Sequence, residues 1–218
     1  MPLIGRLGGA TLALGWCVLG ELRSCCSLSA HPLLPGEDTV DAVVDPEHAW
    51  CTDRLAIEPL TCRHAAELFA VLNDPQLHVF TGGSPLSLAA LTDRYARLES
   101  RRSTDGTEVW CNWVLRERET GVAVGTMQAT LPASGPTGGP AQVAWVLARR
   151  AQGRGYASEA ALSLVDRLRG AGWTIAAFIH PEHVASQQVA RRAGLQPTEH
   201  VIDGEIHWEQ RPHSGHRR

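Results

Sequence analysis

The sequence predicts an α/β fold of the α+β kind: a mixed, mostly antiparallel sheet with helices on both faces. Three observations lead there. An apolar run, Val143-Ala144-Trp145-Val146-Leu147, passes through a glycine loop into a helical pattern. A strand, loop and helix in that order belong to a sheet covered by helices. Two pairs of apolar runs meet at Thr120-Gly121 and Asp203-Gly204, turn signals that close antiparallel hairpins. Two further helical patterns precede the first hairpin.

Composition narrows the function classes. The 218 residues allow one domain with some extension. Apolar content of 44% with 20% charged residues is that of a soluble globular chain. A net charge of −3 argues against nucleic-acid binding by bulk charge. The basic side chains are all arginine and no lysine occurs, so no lysine can form a Schiff base or clamp a phosphate. The cysteines, Cys17, Cys25, Cys26, Cys51, Cys62 and Cys111, include no Cys-x-x-Cys pair. Neither a zinc site nor a disulfide framework is indicated. Cys62 and Cys111 are read as small buried residues.

Residues 1–50 are read as an N-terminal extension, 51–210 as the domain and 211–218 as a frayed polar tail. The uncharged run at 7–20 is too short to span a bilayer, so no membrane partner is expected. It has the length of a signal-peptide core, with Ser27-Leu28-Ser29 as a candidate cleavage site, but Glu21 and Arg23 interrupt the path to it. The alternative is an extension that contributes little structure. Residues 31–45, with Pro, Gly and acidic side chains, read as linker.

The domain opens with a strand at 55–60. Thr61 then caps a helix through Ala65, Leu68, Phe69 and Leu72, which Asn73-Asp74-Pro75 ends. Residues 79–85 are a loop. A second helix starts at Ser87 with Leu91, Tyr95 and Leu98 facing inward. Strands at 109–115 and 122–131 make the first hairpin, and a Gly/Pro/Ser loop at 132–140 leads to the central strand at 142–147. The helix at 157–169 carries an apolar stripe of Ala160, Ala161, Leu164, Val165 and Leu168 and stops at Gly170 and Gly172. A strand at 174–179, a helix at 184–193 closed by Gly194, and a hairpin at 200–208 complete the domain.

The glycine loop is Arg150-Ala151-Gln152-Gly153-Arg154-Gly155-Tyr156-Ala157. Glycines let the chain turn sharply and let a ligand approach the backbone. The helix that follows begins with N–H groups that have no internal partner, and its dipole is positive there. Together these make a phosphate cradle. Two nucleotide readings fail on named residues. A dinucleotide fingerprint needs a third glycine where Ser158 stands, and an acidic residue at the end of the next strand, which has none. A P-loop needs a lysine.

The pattern that fits is Arg/Gln-x-x-Gly-x-Gly/Ala, met by Arg150, Gly153 and Gly155. It resembles the acetyl-CoA loop of the GCN5-related N-acetyltransferases, the GNAT superfamily. Gly155-Tyr156-Ala157-Ser158-Glu159-Ala160 resembles the segment that follows the loop in the RimJ/RimL-like branch. His180-Pro181-Glu182-His183-Val184-Ala185-Ser186 and Arg192-Ala193-Gly194-Leu195 resemble that branch's Pro-x-Asn-x-x-Ser and Lys-x-Gly-Phe segments. Thr52-Asp53-Arg54-Leu55 with Ile57-Glu58-Pro59-Leu60 resembles its opening. The resemblance covers about residues 51–210.

The resemblance implies a GNAT-like fold and an N-acetyltransferase that moves an acetyl group from acetyl-CoA to a primary amine by direct attack in a ternary complex. The acceptor would be a small-molecule amine or a peptide N-terminus. The amides of Gln152, Gly153, Arg154, Gly155, Tyr156 and Ala157 would take the pyrophosphate, and the backbone near Val146, Leu147 and Ala148 the pantetheine arm. A main-chain N–H near Leu147 would meet the oxyanion, where such donors are worth about 3 kcal/mol. The first two helices and their loop would wall the acceptor cleft. Phe80 and Tyr95 are then either substrate contacts or core residues. A cytoplasmic location and a monomer or homodimer follow from the same resemblance.

The proton-transfer groups depart from the branch. Gln142 stands where a glutamate is common on the central strand, and an amide is no base at neutral pH. No tyrosine occurs from 184 to 194. Ser186 keeps the serine position and can donate to the leaving sulfur. His183 stands in the asparagine position. It either moves a proton, for which an imidazole is suited, or serves only as a hydrogen-bonding residue. Glu58 and Glu108 are further candidate bases through water. His180 and His183 lack a third ligand, so no metal is expected. Without a base, a non-catalytic acyl-CoA-binding or regulatory relative of the same fold is the alternative.

Overall fold

The structure, a computed structural model, describes residues 44–210. The run at 7–20, most of the linker at 31–45 and the polar tail lie outside the described residues. The strands are β1 (Trp50–Cys51), β2 (Leu55–Pro59), β3 (Glu108–Glu117), β4 (Ala123–Pro132), β5 (Ala141–Leu147), β6 (Ile175–Ile179), β7 (Leu195–Ile202) and β8 (Glu205–Gln210). The α-helices are α1 (Ala65–Leu72), α2 (His78–Thr81), α3 (Leu88–Leu98), α4 (Tyr156–Gly170) and α5 (Val184–Arg192). All strands join one sheet in the order β1-β2-β3-β4-β5-β6-β8-β7. Every neighbouring pair is antiparallel except β5 and β6, which run parallel.

Strand alternation sorts the side chains onto two faces. One face carries Cys111, Trp113, Leu115, Met127, Ala129, Val143, Leu147, Ile175, Ala177 and Trp208, all buried. Helix α4 covers it with Ala160, Ala161, Leu164, Val165 and Leu168, the stripe expected from spacing. Trp50 joins this layer, edge-on to Trp113 at 5.1 Å and donating its indole N–H to Ser163 Oγ at 3.2 Å. The opposite face receives α1. There Arg116 of β3 bonds both Glu58 of β2 and Glu67 of α1, at 2.6 and 2.7 Å. Tyr95 of α3 is buried beneath the same layer.

Three local readings need correction. Trp50, placed in the extension, is a core residue and forms an edge strand against Ile57, so ordered packing begins before residue 51. The loop expected at 79–85 starts later, because Asp74 caps a 3-10 turn at Pro75–Leu77 that runs on into α2. The last hairpin is longer than its 200–208 core, and its β7 arm begins at Leu195. Its Asp203-Gly204 turn holds both residues at positive φ, 52° and 85°, as a two-residue hairpin turn requires.

Candidate active site

The parallel pairing of β5 and β6 stops almost as it starts. Ala141 lies opposite Ile175 and Gln142 opposite Ala176, and the ladder ends there. Beyond it the strands diverge, and β5 continues to Leu147 paired only with β4. Ala141 N–H reaches Thr174 O on the β6 side, whereas Ala148 N–H reaches Val124 O on the β4 side. Backbone groups alternate between these sides along a strand. Trp145 and Leu147 therefore turn their backbone toward the opening, and Val146 turns its own toward Thr126 of β4. Of the three pantetheine positions expected, only Leu147 faces the gap. Trp145 shares this edge, as alternation from Leu147 requires.

The strand runs into the cradle through a 3-10 turn at Arg149–Ala151. Gly153 (φ 73°) and Gly155 (φ 83°) then take left-handed backbone, which glycine adopts without steric cost. Glu159 N–H is the first to bond back into the helix, to Gly155 O at 3.0 Å. Among the described residues, no acceptor meets the N–H groups of 153–158. A β-carbon at Gly153 would meet nothing within 4 Å, so the loop's outer surface is open. Gln152 Nε2 donates to Leu147 O at 3.0 Å and ties the loop to the end of β5.

The side chains of Arg154 and Tyr156 brace the loop from behind. Tyr156 is buried and donates its hydroxyl to Glu117, which also accepts from Arg154 Nη2 at 2.9 Å. The Arg54 and Arg154 guanidinium groups lie 4.7 and 4.8 Å from the Tyr156 ring centre. Arg54 donates to Arg154 O at 2.8 Å and pairs with Glu159 at 2.7 Å. The Tyr156 hydroxyl bond, with help from Thr120 and Arg154, holds the Glu117 carboxyl below the usual range. Burial opposes ionisation of Glu159, but hydrogen bonds from Thr52 and Arg54 outweigh it and hold that carboxyl low too. Arg54, Glu117 and Glu159 had no role from the sequence, since their meeting depends on the pairing of β2 with β3.

Across the gap, β6 ends at Ile179 and the next loop carries the histidines. His183 stands before the first turn of α5 and Ser186 within it, both half-buried. The His183 ring stacks on Phe80 of α2, centroids 4.4 Å apart and planes 18° from parallel, and His180 lies 5.5 Å from the same ring. Burial, reinforced by His180, holds the His183 imidazole below its ordinary range, so it is neutral at neutral pH. Phe80 thus meets the candidate site, whereas Tyr95 takes the core reading, its pKa pushed up to about 12 by burial.

The other candidates are engaged elsewhere. Glu58 is held by Arg116, and Glu108 accepts from Trp110 Nε1 at 3.0 Å. Gln142 is half-buried between Thr130 and Ala176. Burial pushes the Cys111 thiol up to about 12, which leaves no thiolate there. Among the described residues, no group of three His, Cys, Asp or Glu is placed to hold a metal. No described helix is long and apolar enough to cross a membrane.

A family profile for the acetyltransferase (GNAT) domain matches residues 54–196, most of the described chain. The chain belongs to the GNAT acetyltransferase family. The matched span of this GNAT domain runs from Arg54, behind the loop, to the first residues of β7. Among solved structures, a protein from Vibrio cholerae provisionally assigned as a ribosomal-protein-serine acetyltransferase is 21% identical. That match covers 77% of this chain and 99% of the other, with a TM-score of 0.59. AAC(6')-Ib in complex with ribostamycin and coenzyme A is 18% identical over 72% and 93% of the two chains, TM-score 0.58. Spermidine N-acetyltransferase from Vibrio cholerae, with CoA and spermine, is 13% identical over 72% and 94%, TM-score 0.57. At these identities the likeness is one of fold. No curated protein sequence matches the chain.

Proposed function

We propose that this GNAT domain transfers an acetyl group from acetyl-CoA to a primary amine, by direct attack in a ternary complex. One observation carries the reading: the backbone edge of β5, open at Trp145 and at the Leu147 N–H, leads directly into the unclaimed N–H groups of 153–158. An extended amide-bearing arm suits the first, and a pyrophosphate suits the second. No lysine is needed, because the backbone supplies the donors. AAC(6')-Ib, similar in fold, is also seen with acetyl-CoA.

In this reading the thioester lies by the Leu147 N–H, which faces the gap and is aimed at the developing oxyanion. The amine attacks the thioester carbon, a C–N bond forms, and the C–S bond breaks as the tetrahedral intermediate collapses. His183, neutral and half-buried, accepts the proton the amine loses. Ser186, whose hydroxyl has no bonded partner among the described residues, donates to the departing thiolate. Holding both reactants in one cleft supplies much of the rate without a carboxylate base. The RimJ/RimL-like branch and a cytoplasmic location, where acetyl-CoA is abundant, belong to the same proposal.

The test is calorimetric titration of acetyl-CoA into the protein and into a Gly153→Glu, Gly155→Glu variant, followed by a thiol-release assay with amines. Saturable binding that the variant loses, with thiol release on adding an amine, is the expected result. Binding without turnover would favour the non-catalytic relative, a reading that Gln142 on β5 keeps in view. No binding to folded protein would overturn the proposal.

A further inference from the structure

The sheet face opposite α4 continues past the gap. Gln142, Ala144 and Val146 of β5 share it with Ala176 and Phe178 of β6 and with His207 and Glu209 of β8. The Phe178 and His207 rings meet there, centroids 5.1 Å apart. Ile179 lies opposite Ile206, and the same register carried one step on sets His180 beside Glu205. Phe80 closes over this end through its contacts with His180 and His183. The lining is therefore two phenylalanine rings and three imidazoles, with the half-buried Glu205 as their neighbouring carboxylate. Glu209 sits at the far end of the face, opposite Ala176, by a separate cavity of about 540 Å³.

We infer that this face takes an acceptor bearing a single ammonium on an apolar or aromatic body, and that Glu205 is the specificity residue that receives the ammonium. The inference rests on the acetyl-transfer reading above and narrows its acceptor. An ammonium leaving water for a ring-lined cleft needs compensation from a carboxylate and from ring faces. One half-buried carboxylate among five rings compensates one charge. A polyamine or aminoglycoside would bring further charges against imidazoles, which offer no negative charge to meet them. Glu182 and Asp203 lie in the adjoining loops but are exposed, where water and salt screen them. The rim is apolar: Ile202, opposite Glu205 across the turn, and Val79 and Val184, next in the chain to Phe80 and His183, are each at least half exposed. Such a rim suits the body of the acceptor beyond its amine. Burial pushes the Glu205 carboxyl up, against the opposing pull of His180, as expected of a group that lacks a full counter-charge until a cation arrives.

Two sources share this chemistry, a free arylalkylamine and a peptide N-terminus with an apolar first residue. The experiment uses the full chain. Acetyl-CoA binding is measured first by calorimetry. Thiol release is then followed with 2-phenylethylamine, an amidated tripeptide with N-terminal phenylalanine, spermidine and ribostamycin. Phenylhydrazine, uncharged at neutral pH, completes the set. We expect at least one of the two monoamines to exceed spermidine and ribostamycin in kcat/KM by roughly tenfold or more, the worth of one charge-assisted hydrogen bond. Glu205→Gln should lower that kcat/KM by a similar factor, mainly through KM, and leave phenylhydrazine turnover and acetyl-CoA affinity unchanged. Glu205→Asp should restore part of the loss. A preference for either polycation, equal losses on charged and uncharged acceptors, or no monoamine turnover by protein that binds acetyl-CoA would each overturn the inference. Failure to bind acetyl-CoA at all would instead strike the acetyl-transfer reading, and this inference with it.

Discussion

Gly125 of β4 and Val146 of β5 lie so close that a β-carbon built on Gly125 would sit 2.3 Å from the Val146 carbonyl oxygen and 2.9 Å from Leu147 Cα. Both obstacles are backbone, so no rotamer change relieves them. The glycine is needed for close approach rather than for unusual φ. It lets β5 hold the line that presents Leu147 to the gap. Gly125→Ala should push the end of β5 outward, costing about 1–3 kcal/mol of stability through overpacking. It should also weaken acetyl-CoA binding well below that of the natural chain. Denaturant unfolding and calorimetry on the same sample check both. Unchanged affinity would mean that the position of Leu147 does not matter to the ligand.

His183 should set the acid limb of the reaction. Its folded pKa lies below the ordinary imidazole range because burial disfavours the cation, and His180 adds to the effect. A base of this kind is active when neutral, so kcat/KM should hold as pH falls through the ordinary range and drop only below it. His183→Asn should remove that limb and lower kcat by roughly 10²-fold, the lower end for proton transfer. Acetyl-CoA affinity should not change. If the His183→Asn variant kept full kcat with the limb intact, the residue would serve only as a hydrogen-bonding group.

Ser186 should act on the other side of the same intermediate. Ser186→Ala removes the donor proposed for the thiolate and should slow kcat while leaving KM for acetyl-CoA unchanged. Steady-state kinetics with varied acetyl-CoA separate the two. A rise in KM with constant kcat would recast Ser186 as a binding residue.

What the sequence disclosed, and what it hid, follows from the range of each interaction. The cradle was legible because Gly153 and Gly155 mark left-handed backbone and the stripe from Ala160 to Leu168 marks the helix behind them. Both signals are local. His183 and Ser186 were candidates by resemblance, and Phe80 only as one of two alternatives, because its stacking on His183 joins segments about a hundred residues apart. Gly125 was overlooked since its φ is ordinary and its need arises across strands. Glu205 was overlooked since only the β6–β8 register brings it to His180. Trp50 was assigned to the extension because its partners, Trp113 and Ser163, are remote in the chain.

Arg116 links the α1 layer to the sheet, and acid should test that link. Its guanidinium bonds Glu67, and this bond, opposed by burial and aided by Ala123 N–H, holds the Glu67 carboxyl below its usual range. A depressed carboxyl stabilises the fold fully above its unfolded pKa, and the contribution disappears as pH falls through the lower folded value. Arg116→Gln returns Glu67 toward its ordinary pKa. The variant should therefore lose stability at neutral pH and unfold in acid at a higher pH than the natural chain. The pH midpoint, read from the fluorescence of the buried tryptophans, Trp113 and Trp208 among them, checks this. An unchanged midpoint would mean that Glu67 draws nothing from Arg116.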